Sequence, residues 1–174
     1  MRITGGKYRN LTLHVTDEKK VRPTSSKIRE AIFSMIGQDL AESSFLDAFG
    51  GSGIMGAEAF SRGANPVVIS EKNPKIARNI STQISSISPN ISVQNIDAIN
   101  SITQGVWDII FLDPPYAMDI QVFLDKAYLA CRELIIIEMA KENMVQLHPD
   151  WEIWKDKIYG ISRVVILQKK DSTP

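Results

Sequence analysis

Two short segments of this 174-residue chain carry residue types that could do chemistry: Gly50-Gly51-Ser52-Gly53 with Asp47 just before it, and Asp113-Pro114-Pro115-Tyr116. Gly51-Ser52-Gly53-Ile54-Met55-Gly56 fits a G-x-G-x-x-G pattern, and Glu71 follows Gly53 by eighteen residues, near the spacing of an acid that binds ribose. A nicotinamide dinucleotide could sit in such a loop, and a tight turn that needs glycine for backbone reasons alone is a second reading. Asp47 favours a ligand with a cationic group, because a carboxylate beside the glycines would repel a pyrophosphate. S-adenosylmethionine meets that requirement. Its ammonium can pair with Asp47, its ribose hydroxyls can donate to Glu71, and Asp97 with Ala98 can border its adenine.

In the second segment Pro114 and Pro115 lack N–H groups and hold the residue before each of them extended, so the loop is stiff and rich in acceptors. The Asp113 carboxylate and the Pro114 carbonyl could hold both N–H bonds of an exocyclic amine. Tyr116 offers a ring on which a flipped base could stack, a contact worth roughly 1 to 3 kcal/mol.

These residues need a scaffold, and the chain spells one out from residue 45 onward as strand, glycine turn and helix in repetition. Apolar runs predict strands over 45–49, 66–71, 91–95, 107–112 and 134–137. Helices are predicted over 54–62, after Asn73-Pro74, and over 119–130, with Asn73 a ready N-cap and Pro74 a ready first-turn residue. Two late strands, 151–157 and 164–168, have no helix between them and should pair antiparallel at a sheet edge. Upstream, Ile3, Leu11, Leu13 and Val15 suggest a short hairpin broken by Gly5-Gly6. A helix starting near Ser25-Ser26 places Ile28, Ala31, Ile32, Met35 and Ile36 on one face before Gly37, which should leave Lys27 and Arg29 to project outward. The expected fold is a three-layer α/β sandwich, Rossmann-like, with a seven-stranded, mainly parallel sheet and a small N-terminal hairpin and helix extension. In such sheets ligands bind beyond the carboxyl ends of the strands, where Asp47, Glu71, Asp97, Asp113 and Glu138 all fall.

Composition sets outer limits. Twenty basic and twenty acidic residues cancel, and 44% of residues are hydrophobic, as in one ordinary globular domain. No apolar run approaches the ~18 residues of a membrane span, and Met1 to Gly6 lack the apolar core of a signal peptide, so a cytoplasmic protein is expected. One cysteine and two histidines argue against a metal centre, and Cys131, Trp107, Trp151 and Trp154 are expected to pack in the core. The zero net charge hides an asymmetry: residues 1–30 hold eight basic groups against three acidic ones, net +5, and the remainder is net −5. A basic arm on an acidic body is what a polyanionic partner would require of one segment only.

Asp113-Pro114-Pro115-Tyr116 resembles the Asp-Pro-Pro-Tyr motif of S-adenosylmethionine-dependent amino-methyltransferases, and the stretch from Phe45 to Gly53 is similar to their cofactor loop. Met1-Arg2-Ile3-Thr4-Gly5-Gly6-Lys7, Arg22-Pro23-Thr24 with Arg29-Glu30, the stretch from Gly56 to Ala64, and Tyr159-Gly160 resemble the bacterial RsmD family, whose members methylate the N2 amine of a guanine in 16S ribosomal RNA. That resemblance implies a catalytic loop of Asp113, Pro114, Pro115 and Tyr116. It implies an S-adenosylmethionine pocket from Asp47, Phe49, Gly50, Gly51, Ser52, Gly53, Glu71, Lys72, Asp97, Ala98 and Asp113, with no metal. RNA would be gripped by Arg2, Lys7, Arg9, Arg22, Lys27 and Arg29, in an extension over residues 1–37 that serves a catalytic domain over 38–174. The implied partner is 16S rRNA or the small-subunit particle, met by a monomer.

Gly50 stands where members of that family commonly have alanine, which should loosen the turn, and the segment 97–105 is short and poor in charge. The rival readings are a DNA adenine or protein glutamine amino-methyltransferase, a nicotinamide-dependent oxidoreductase, and a non-enzymatic RNA-binding module, the last disfavoured because the acidic strand-end loops are intact. The second of these needs more room than 174 residues leave.

Overall fold

The computed structural model describes residues 1–14 and 25–170. Val15 and Arg22 lie outside the described residues. Seven strands form one sheet: β1 (Phe45–Asp47), β2 (Val67–Ser70), β3 (Ile91–Gln94), β4 (Trp107–Leu112), β5 (Cys131–Ala140), β6 (Trp151–Tyr159) and β7 (Ser162–Lys169). Their order is β3-β2-β1-β4-β5-β7-β6, the first five parallel and the β6–β7 hairpin antiparallel at one edge, as the absence of a helix between them predicted.

Alternation along each strand assigns side chains to two cores. Phe45, Ile69, Ile109, Phe111, Ile136 and Val164 face one side, where they meet α1 (Ser26–Ile36), α2 (Ile54–Ser61) and α3 (Pro74–Ile84). Leu46, Val68, Ile110, Leu112, Ile137 and Val165 face the other, under α4 (Ala98–Thr103) and α5 (Ile120–Ala130). Each fully buried aliphatic or aromatic side chain contributes roughly 1.5 to 3 kcal/mol. Strands β1 and β2 are buried along their whole length, which explains why apolar residues stand next to one another in them without alternation.

Local signals act where expected. Ser25 caps α1 by accepting the Ile28 N–H, Asn73 caps α3 with Pro74 in its first turn, and Gly37 ends α1 at φ 107°. Three expectations change. Strand β5 is ten residues long because it pairs along β7 from Leu134 to Ala140, so Glu138 lies within the strand and not after it. The short α4 has no apolar period to announce it; it forms where Asp97 accepts the Asn100 N–H at 3.0 Å. Trp154 does not pack in the core. It sits at a register shift in edge strand β6, 39% exposed, with Lys155 Nζ 4.9 Å from its ring. Trp107, Trp151 and Cys131 are buried as predicted.

The N-terminal segment folds back through one antiparallel bridge, Arg2 to Thr12. Ile3 and Leu13 belong to the same core as α1 and the sheet. Among the described residues no helix is long and apolar enough to cross a membrane, and no group of acidic, histidine and cysteine residues could hold a metal ion.

Candidate active site

Strand β1 delivers Asp47 to the sheet's carboxyl edge beside β4, where the strand order reverses. The side chain is 1% exposed. Its Oδ2 accepts the Gly56 N–H at 3.3 Å, which substitutes for the cap that Gly53, the N-cap of α2, has no side chain to provide. Its Oδ1 has no hydrogen-bond partner among the described residues. Burial raises the Asp47 carboxyl to about 7, with Glu71 adding to the rise while the Gly56 and Phe49 backbone N–H groups oppose it. A buried carboxylate oxygen left over beside a glycine turn fits a ligand that brings its own positive charge.

The turn itself closes through Gly53 N–H to Gly50 O at 2.6 Å, and Gly50 N–H donates to Ser70 O at 2.7 Å. A Cβ on Gly50 would stand 2.7 Å from Ile69 Cγ2 and 3.0 Å from Ser70 O. Glycine here therefore tightens the approach of the loop to β2, against the expected loosening. Glu71 joins the two loops: Oε2 accepts the Gly51 N–H at 3.1 Å and Oε1 the Asn73 N–H at 2.8 Å. A carboxylate has about four acceptor positions, so capacity remains for ligand hydroxyls. Asn95, which the sequence did not single out, clamps this loop by donating to the carbonyls of Glu71 and Lys72.

The remaining pocket candidates are less concentrated. Ser52 and Ala98 are buried, and Phe49 packs edge-on against Phe123 of α5 at 4.9 Å. Lys72 is exposed, and Asp97 is an exposed helix cap whose carboxyl is held low by the Asn100 N–H.

The second loop leaves β4 one strand away. Leu112 pairs with Ile137, so Asp113 and Glu138 follow side by side. Asp113 and Tyr116 are half-buried, Pro114 is buried and Pro115 exposed, and the Pro115 carbonyl accepts the Met118 N–H to close the turn. Tyr116 reaches across β5 to β7, where its hydroxyl lies 2.9 Å from Ser162 Oγ. Ser162 was missed by sequence reasoning; the turn at Tyr159-Gly160 ahead of it was its only trace.

The basic segment divides. Arg2, Lys7, Arg9 and Lys27 are exposed, and Arg2 and Arg9 line a recess of about 610 Å³ with Asn10, Ser34, Gln38 and Arg62. Arg29 does not project outward; it is 1% exposed, and its Nε donates to Glu58 Oε2 at 3.1 Å. It is removed from the RNA-contacting set because its guanidinium is consumed inside the fold, where Nη2 also donates to the Arg2 carbonyl.

The cause is Glu58, an acid in the apolar helix α2 and fully buried. Its carboxylate also accepts the Thr4 and Gly5 N–H groups, the Thr4 hydroxyl and the Arg62 guanidinium. Burial would raise that carboxyl, but these donors together hold it below its ordinary value. A glutamate amid Ile54, Met55, Ala57, Ala59 and Phe60 was the signal that could have revealed this hub. Gly6, at φ 74°, lets the arm pass within reach of the Ser61 carbonyl, which accepts the Lys7 N–H at 2.7 Å.

A mainly parallel seven-stranded sheet with an antiparallel last hairpin, a glycine turn after β1 and an Asp-Pro-Pro-Tyr loop after β4 defines the Rossmann-like class of methyltransferases. Sequence comparison narrows the class. The family described as "Conserved hypothetical protein 95" matches residues 1–168. Ribosomal RNA small subunit methyltransferase D of Escherichia coli (strain K12) is 30% identical over 169 residues, covering 92% of this chain and 85% of that protein. The protein of the same name from Haemophilus influenzae is 28% identical, covering 92% and 90%. Among solved structures, the Escherichia coli protein yhhF superposes with a TM-score of 0.88 over 98% of both chains at 24% identity. The chain belongs to the RsmD family.

Proposed function

We propose that this protein transfers a methyl group from S-adenosylmethionine to the exocyclic N2 amine of a guanine in 16S ribosomal RNA, free or in the small-subunit particle, acting as a cytoplasmic monomer. The observation that carries the reading is the buried Asp47 Oδ1, an acceptor with no partner among the described residues, one strand from the acceptor-rich Asp113-Pro114 backbone. When bound, S-adenosylmethionine supplies a methyl carbon already activated by a sulfonium. Ionised Asp47 pairs with the cationic cofactor, the turn at Gly51, Ser52 and Gly53 admits it, and Glu71 accepts from its ribose.

Asp113 and the Pro114 carbonyl take the two N–H bonds of the target amine, whose lone pair is otherwise delocalised into the base. Holding both hydrogens fixes the direction of that lone pair, so positioning and charge complementarity provide most of the rate. The Tyr116 ring stacks on the extruded base. Arg2, Lys7, Arg9 and Lys27, in an extension over residues 1–37, bind RNA phosphates, and the names of the relatives support that substrate class. Asp113→Ala should abolish methyl transfer to small-subunit RNA while calorimetry still records S-adenosylmethionine binding. Full activity in that variant, or binding of NAD in place of S-adenosylmethionine, would overturn the assignment.

A further inference from the structure

Glu138 is an acid that the proposed reaction leaves without work. It is 3% exposed, near the carboxyl end of β5. Its register places it in the site. Phe111 pairs with Ile136 and both face the core under α1 to α3; Asp113 and Glu138 each come two residues later, and the extended backbone before Pro114 continues the alternation. The two carboxylates therefore sit on neighbouring strands and on one face of the sheet, the face that Asp47 shares two residues beyond Phe45. On its other side Glu138 pairs with Val164, two residues from Ser162. Tyr116 reaches from the β4 loop to Ser162, which pairs with Ala140, two residues beyond Glu138 on β5.

We propose that Glu138 is the specificity residue that selects guanine, by accepting the N1–H of the base whose N2 amine is held by Asp113 and Pro114. This rests on the guanine-N2 reading. The edge of guanine that carries N2 also carries N1–H, so it presents three hydrogens in a row. Asp113 and the Pro114 carbonyl account for two. A second carboxylate beside Asp113 supplies the third acceptor. Adenine presents an acceptor at N1, next to its own amine, and a carboxylate would repel it there. The same residue thus rewards guanine and rejects adenine, since a site built around an acceptor leaves both partners unsatisfied when the hydrogen is missing.

The test uses the full chain and small-subunit RNA, alone or in particles, with guanine or 2-aminopurine at the methylated position. 2-Aminopurine keeps the N2 amine and lacks the N1 hydrogen. The wild-type protein should methylate guanine with a kcat/KM roughly 10- to 100-fold above that for 2-aminopurine. In Glu138→Gln the amide can accept from guanine or donate to 2-aminopurine, so the ratio should collapse by about tenfold or more, while the S-adenosylmethionine Kd stays unchanged. Loss of O6 in 2-aminopurine affects both proteins alike and cancels in the comparison. An equal ratio in the two proteins, or a wild-type protein that does not distinguish the bases, overturns the role of Glu138. Should Glu138→Gln fail to fold, Glu138→Asp takes its place: a carboxylate one methylene shorter should lower the guanine to 2-aminopurine ratio, and an unchanged ratio overturns the role. Absence of any transfer to guanine by the wild-type protein would instead overturn the guanine-N2 reading itself.

Discussion

The hydroxyl of Tyr116 lies 2.9 Å from Ser162 Oγ, so the ring at the end of the proposed catalytic loop is tied to the first residue of β7, two strands away from β4. Ser162 is 2% exposed, which makes it a rigid anchor. Ser162→Ala should lower kcat/KM about 5- to 10-fold, the effect of removing one neutral hydrogen bond. The cofactor Kd should not move, and Ser162→Thr should restore most of the activity. Equal loss in the alanine and threonine variants would assign Ser162 to packing alone.

In the proposed pocket Asp47 should make cofactor binding depend on pH. With its carboxyl raised by burial to about 7 against an ordinary 3.8, it is protonated when folded and ionised when unfolded across that window. Stability from this group is therefore lost as pH rises from about 4 to 7. Affinity for a cation follows the opposite course, falling by up to about tenfold per unit as pH drops below 7. Calorimetry with S-adenosylmethionine between pH 5.5 and 8.5 should show this slope in the wild-type protein and a flat, weaker profile in Asp47→Asn.

Glu58 should be a stability residue with a functional echo. It accepts from Arg29, Arg62 and two backbone N–H groups, and removing a buried partner strands the others. Glu58→Ala should cost about 3 to 5 kcal/mol in denaturant unfolding. Arg29→Ala should also destabilise, whereas Lys27→Ala, on the exposed side of the same helix, should leave the stability within about 0.5 kcal/mol of the wild type.

The salt dependence of RNA binding reports on the basic segment. Removing residues 1–22 would strip Ile3 and Leu13 from the core and take three donors from Glu58, so truncation confuses folding with binding. Point changes avoid this. Arg2→Ala, Lys7→Ala and Arg9→Ala together should weaken RNA binding and lower the slope of log K against log salt by about 0.7 to 0.9 for each phosphate no longer neutralised. An unchanged slope would move the RNA surface elsewhere.

What the chain disclosed on reading depended on whether the signal was local. Buried parallel strands announce themselves as apolar runs, and the caps at Ser25, Asn73 and Asp119 act within three residues of their partners, so these elements fell close to their predicted places. The residues of the two loops were legible because glycine and proline shape the backbone wherever they stand. Partnerships across the fold were not. Arg29 meets Glu58 from 29 positions away and Tyr116 meets Ser162 from 46, and nothing near either residue encodes the other. A helical wheel could show that Arg29 lies off the apolar face, but not that a carboxylate was waiting inside the fold.

The parallel register of β1 on β4 also acts as a ruler. Asp47 pairs with Phe111, and Asp113 is two residues further on, roughly 7 Å along the neighbouring strand. The spacing between the proposed cofactor clamp and the proposed amine clamp is therefore written in sheet geometry and is insulated from the loops that surround it. Those loops can exchange residues to recognise a different base or RNA shape without altering how far the methyl group has to travel.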